Sequence, residues 1–285
     1  MAWQRLGQVD PADLRGARLQ AHWAAQVLSA AGETFAPHVP DTSHTAMVWD
    51  ADGGALVGRT LPDAGGCRIA LRVADLVLLL LAGDGTALAE LALAGHTLAQ
   101  AYRWTGDTVA RHTRAARARA LVHPGYELEP HPLASNGHFE RDPGLPELAR
   151  WYANAALALR RLERETPSAG EVLCWPHHFD MATLLTLEVD RAGDAVRTVG
   201  VGFSPGDDFI RMPYWYVNHG PETDRTDLPV LAEGEWFTDG WIGAVLRGDA
   251  LVAAGDASDQ EGRLRAFLAS AVPASRALAV EAPLE

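Results

Sequence analysis

The sequence predicts an α+β fold in which two similar antiparallel meander-plus-helix halves form one globule, with an internal pseudo-duplication as one way to arrive at it. Three observations point there. Each half opens with apolar residues at helical spacing, each continues as short β-like runs parted by turn residues, and the order helix, meander, helix is met twice. A stretch crowded with Pro and Gly separates the rounds. The expected division is therefore residues 1–120, a connecting loop at 121–146, and residues 147–285.

The first helix is predicted to start at Asp10-Pro11, an N-cap with a first-turn proline, and to end at Gly32. Its stripe of Ala17, Ala21, Ala24, Leu28 and Ala31 is small enough for close packing on a sheet. Runs at Ala46–Trp49, Ala55–Arg59, Cys67–Val73, Leu76–Ala82 and Thr86–Leu93 then read as an antiparallel meander, with Asp52-Gly53-Gly54 and Gly83-Asp84-Gly85 as turns. A second helix begins near His96 and is expected to break at Gly106-Asp107.

The second half opens with the clearest amphipathic pattern, Leu148, Tyr152, Ala155, Leu159 and Leu162 on one stripe. Strands are expected at Val172–Trp175, Met181–Asp190, Val196–Phe203, Tyr214–Asn218 and Trp241–Leu246. Ser258 with Glu261 predicts a capping box for a final helix. Pro37-His38-Val39-Pro40-Asp41 and Pro176-His177-His178-Phe179-Asp180 share the pattern P-H-x-x-D, which is the residue-level case for duplication.

Composition narrows the function classes. A net charge of −13 argues against a nucleic-acid backbone binder, which needs a dominant positive footprint. The one basic cluster, Arg111, His112, Arg114, Arg117 and Arg119, reads best as a solvated helix face. All 24 basic residues are arginine, which with abundant Ala and Gly suggests a GC-rich bacterial source. The longest apolar run is far short of the ~20 residues of a membrane helix, and the N-terminus lacks the apolar region of a signal peptide, so no membrane partner and a cytoplasmic location are expected. Cys67 and Cys174 imply no disulfide framework.

Polar chemistry concentrates at Trp175-Pro176-His177-His178-Phe179-Asp180. If the segment is extended, His178 and Asp180 share one face, an arrangement suited to a metal ligand with its orienting carboxylate or to a general base held by one. A divalent metal such as zinc would draw on His38, Asp41, His177, His178 and Asp180. Were the chain an enzyme, metal-dependent hydrolysis is the first expectation, with His219 or Asp180 as the catalytic acid or base. A second constellation, Asp207, Asp208, Arg211, Tyr214 and Tyr216, joins carboxylates and an arginine to an aromatic strand and is a candidate ligand-binding set. The zinc, nucleophile-elbow, phosphate-loop and dinucleotide motifs are all missing.

Trp175, Phe179, Asp180 and Ala182 form a W-x-x-x-F-D-x-A core that is followed by Phe203-Ser204 and by the Y-x-Y strand Tyr214-Trp215-Tyr216. In these features the chain resembles an uncharacterised bacterial family, domain of unknown function 5996. In the first half Cys67–Val73, Val77–Leu81 and the helix from His96 fall in that family's order, so the resemblance spans most of the chain. It implies a single α+β unit and brings no activity with it. The doubled His177-His178 departs from the family pattern.

The function expected from these residues is binding of a small molecule or divalent metal in a His/Asp cleft near His177–Asp180. The reading that competes with it is a non-catalytic structural protein, a homo-oligomer in which a buried His–Asp network holds the fold.

Overall fold

The structure, a computed structural model, describes residues 2–113, 119–123, 125–223 and 227–283. Eleven strands and five helices occur among them, and every strand pairing within each of the two compact units is antiparallel, so the α+β class is correct. One unit comprises residues 14–149 and 173–179. The other takes the segment up to Asp13, residues 150–172 and the chain from Asp180 onward.

In the first unit, helix α1 (Arg15–Phe35) is followed by β1 (Met47–Asp50), β2 (Ala55–Gly58), β3 (Arg68–Arg72), β4 (Val77–Leu81) and β5 (Ala87–Ala92), then α2 (Leu98–His112). The strands run β1 to β5 in spatial order, a meander as expected from the Gly and Asp turns between them. The later strand β6 (Leu173–Trp175) pairs with β1 through Met47 and Cys174. Helix α1 lies on β2 and β3 and also meets α2.

Two helix boundaries differ from the sequence expectation. Pro11 sits in a separate 3-10 turn, Pro11–Asp13, and α1 runs past Gly32, whose missing side chain admits the His44 carbonyl oxygen: a Cβ there would lie 2.3 Å from it. Helix α2 continues through Gly106-Asp107, anchored at its start by a complete Thr97–Gln100 capping box. Of the basic cluster, Arg114 and Arg117 lie outside the described residues. Arg111 donates to Thr108 at 2.7 Å and Arg119 reaches Asp63 at 3.5 Å.

In the second unit the order is β7 (Asp180–Val189), β8 (Ala195–Ser204), β9 (Tyr214–Gly220), β10 (Glu235–Phe237), β11 (Gly243–Arg247), α4 (Gly248–Val252) and α5 (Ala257–Glu281). Its strands lie as β7-β8-β9-β11-β10. Helix α5 covers β8, β9 and β11. The capping box of α5 is made by Asp256 and Asp259 rather than by Ser258 and Glu261, because the Asp256 carboxylate accepts from both the Ser258 and Asp259 amides.

Helix α3 (Leu145–Glu165) contributes from Arg150 on to this second unit. There Trp151 stacks on Phe203 at 5.7 Å and Tyr152 meets the same ring edge-on at 5.4 Å. The expected stripe is thus a core stripe, with Leu148, Tyr152, Ala155 and Leu159 all buried. The short strand β10 was not among the expected strands.

Candidate functional site: the turn between Trp175 and Asp180

Strand β6 ends at Trp175 and β7 begins at Asp180, and the residues between them are not extended. They form a tight turn in which the Phe179 amide donates to the Trp175 carbonyl at 2.7 Å, and Phe179 takes φ 57°, the left-handed region that non-Gly residues avoid. The alternation that was to align His178 with Asp180 therefore does not exist. The two residues fall in different compact units.

The turn is held from α1. His22, Gln26 and Ser29 sit at helical spacing on one face of a helix in which 18 of 21 residues are buried. Gln26 Nε2 donates to the Pro176 carbonyl oxygen at 2.9 Å and to the His22 carbonyl at 3.0 Å. His22 Nε2 also lies 2.9 Å from the Pro176 oxygen, so the ring must carry its proton there and donate. Gln26 Oε1 accepts from the Tyr126 hydroxyl at 2.6 Å. With the Tyr126 proton spent on Gln26, the Ser29 hydroxyl at 3.0 Å donates to Tyr126. A directed chain thus runs from Ser29 through Tyr126 and Gln26 to Pro176.

Burial lowers the His22 pKa to about 4; the Pro176 hydrogen bond opposes this, and the neighbouring Arg18 and His178 reinforce it. Its ring stacks flat on Phe179, with centroids 5.1 Å apart and 4° between planes. Arg18, itself buried, ion-pairs with Glu129 at 2.6 Å, and Arg15 binds the same carboxylate. Burial pushes the Glu129 carboxyl up, but the two guanidiniums outweigh it and hold it low. Burial also raises the Tyr126 phenol above its ordinary value, so it stays protonated and keeps donating.

On this base the turn presents His177 and His178, with ring centroids 4.4 Å apart. His177 is partly buried between Tyr126, edge-on at 5.9 Å, and Trp175 at 6.1 Å, whereas His178 is exposed. Burial first, then the neighbouring His178, lowers the His177 pKa to about 4. It is a neutral imidazole at pH 7, able to donate through one nitrogen and accept through the other. Among the described residues neither ring has a hydrogen-bond partner.

No family model, no curated protein and no solved structure matches this chain.

The other expected site residues make contacts of their own within each unit. In the first unit, His38 stacks on His44 at 4.9 Å, and His44 Nε2 meets Glu33 at 2.9 Å. Asp41 is exposed and caps the following turn by accepting from the Ser43 amide at 3.0 Å, a bond that lowers its pKa. Among the described residues no three His, Cys, Asp or Glu side chains converge as a metal cage requires, so His38, Asp41, His177, His178 and Asp180 do not form the expected ligand set.

In the second unit, Asp180 accepts from the Tyr216 hydroxyl at 2.5 Å. Gly202 makes room for this: a Cβ there would lie 2.4 Å from the Tyr216 ring. Asp207 accepts from the Phe209 and Ile210 amides, both at 2.8 Å, and from the Tyr214 hydroxyl. Burial raises both phenols above their ordinary range, with the adjacent carboxylates adding to the effect. Asp207, Tyr214 and Tyr216 are thereby committed to intramolecular bonds, while Asp208 and Arg211 remain exposed beside them. His219 is buried on β9 with neither ring nitrogen hydrogen-bonded among the described residues, and burial lowers its pKa. Cys67 and Cys174 are both buried and neither forms a disulfide. Among the described residues no helix is long and apolar enough to cross a membrane.

Proposed function

We propose that the chain binds a small molecule at the Trp175–Phe179 turn, with His177 and His178 as its hydrogen-bonding contacts and Trp175 and Tyr126 as the aromatic wall. One observation carries the reading: two adjacent imidazoles stand with uncommitted nitrogens on a turn whose backbone is fixed by two buried donors at Pro176. A left-handed Phe179 stores local strain that the buried His22–Phe179 stack must offset, and such strain concentrates at binding sites.

Neutral His177 suits a ligand carrying both a donor and an acceptor, such as an amide, a hydroxy acid or a ring nitrogen. In chemistry it would serve as a general base toward a bound hydroxyl or water. A divalent metal remains compatible with the pair only where the bound molecule and water complete its coordination, since the described protein groups offer fewer than three ligands. The resemblance to domain of unknown function 5996 adds no activity to this reading.

The test is a fragment screen followed by histidine ring resonances. Hits that shift the His177 and His178 Cε1–Hε1 signals, and lose that effect in His177→Ala, support the site. Hits that move other resonances while leaving both rings unchanged contradict it.

A further inference from the structure

A cavity independent of the histidine turn lies within the second unit, between α3 and α5. It measures about 480 Å³, inside the roughly 300–1,000 Å³ typical of small-molecule sites. One wall is a single face of α5, where Leu264, Leu268 and Val272 recur every four residues; the other is formed by Leu157 and Leu162 of α3, with Trp3 from the amino-terminal segment. Leu157, Leu162, Leu268 and Val272 are only half-buried, so the trough is apolar and reachable from solvent.

Its charged lining is unevenly spent. Arg161 pairs with Glu165 and Arg265 with Glu261, each at 2.9 Å along its own helix, which neutralises both carboxylates. Arg164 is exposed beside them and has neither ion pair nor hydrogen bond among the described residues. In a chain of net charge −13, one unspent guanidinium therefore borders the apolar trough.

We propose that this cavity binds a single-chain amphiphile with an anionic head, the chemistry of a free long-chain carboxylate. The chain lies along Leu162, Leu268 and Val272, and the carboxylate meets the Arg164 guanidinium in a charge-assisted bond. A concave trough suits a flexible chain better than the flat face of a second copy, and two copies of so acidic a chain repel each other. A bilayer surface would need several unpaired cations, each contributing about 1 kcal/mol, where this rim supplies one.

The experiment is isothermal titration of the full chain with dodecanoate below its micelle concentration, with dodecyltrimethylammonium as the cationic control. The expected result is saturable binding of one dodecanoate per chain and no comparable binding of the ammonium amphiphile. Arg164→Glu, at an exposed position, should weaken dodecanoate about tenfold or more, and Leu268→Trp should fill the trough and abolish binding with the unfolding transition retained. Equal binding of both amphiphiles, no saturable binding, or affinity unchanged in Arg164→Glu would overturn the proposal. So would retention on phosphatidylglycerol vesicles without binding of free dodecanoate, or a dimer that Leu268→Trp dissociates and dodecanoate does not.

Discussion

Gln26 Nε2 donates to the Pro176 carbonyl oxygen at 2.9 Å, and this bond ties the histidine-bearing turn to the buried helix α1. Gln26 is fully buried and at the same time holds Tyr126 through its carbonyl oxygen. Removing it leaves the Tyr126 hydroxyl proton without its acceptor and takes one of two donors from the Pro176 carbonyl, which keeps His22. Gln26→Ala should cost about 1–3 kcal/mol, the range for leaving a buried polar partner unsatisfied. Urea unfolding measures this; a loss below about 0.5 kcal/mol would mean the turn does not depend on the helix.

Phe179 provides a test in which glycine should be the milder change. The ring is fully buried, so Phe179→Ala should cost about 3–5 kcal/mol. Glycine loses the same ring but occupies the left-handed region without penalty, so Phe179→Gly should be less destabilising than Phe179→Ala by about 1 kcal/mol. The reverse order in chemical denaturation would show that the left-handed conformation is not retained.

Stability should fall on acidification between pH 6.5 and about 4. His22 and His177 have folded pKa values near 4 against 6.5 for the unencumbered group, so in this window the unfolded chain takes up protons that the folded one refuses. Above pH 6.5 both states are neutral and the full stability is present. Below about 4 both are charged and the loss is complete, on the order of 3 kcal/mol for buried His22. Denaturation midpoints across the window, compared with those of His22→Gln, check this. A variant with an equally steep pH dependence would contradict the assignment.

Tyr216→Phe should destabilise the second unit by about 1–3 kcal/mol, because it removes the hydroxyl donor of the Asp180 carboxylate. Thermal unfolding at pH 7 checks this, and a change below about 0.3 kcal/mol would contradict a structural role for the bond.

Much of the fold was legible because its signals are local. The Gly and Asp turns and period-two runs marked β1 to β5 within one or two residues, and the stripe of α3 marked its core face. What failed was context. Gly106 lies inside a helix because tertiary packing overrides a weak propensity, and the extended reading of 176–180 failed because a stacking partner on α1 stabilises Phe179 in a left-handed conformation.

At the candidate site, His177 and His178 were visible as residue types, but the groups that hold them were not singled out. A signal for them existed: His22, Gln26 and Ser29 form a polar stripe at helical spacing inside an alanine-rich helix, where polar groups must find buried partners. Tyr126 carried none, since it sits in irregular chain about a hundred residues from Gln26. For the expected metal set, the described residues show no group of three converging His, Cys, Asp or Glu side chains.

Equilibrium dialysis of the full chain against a mixed metabolite library, with mass spectrometry of what wild type and the His177→Ala/His178→Ala variant retain, decides whether the histidine turn binds a small molecule. At least one small molecule should be enriched by wild type and lost by the variant at unchanged unfolding midpoint. Identical retained sets for two folded proteins would contradict it.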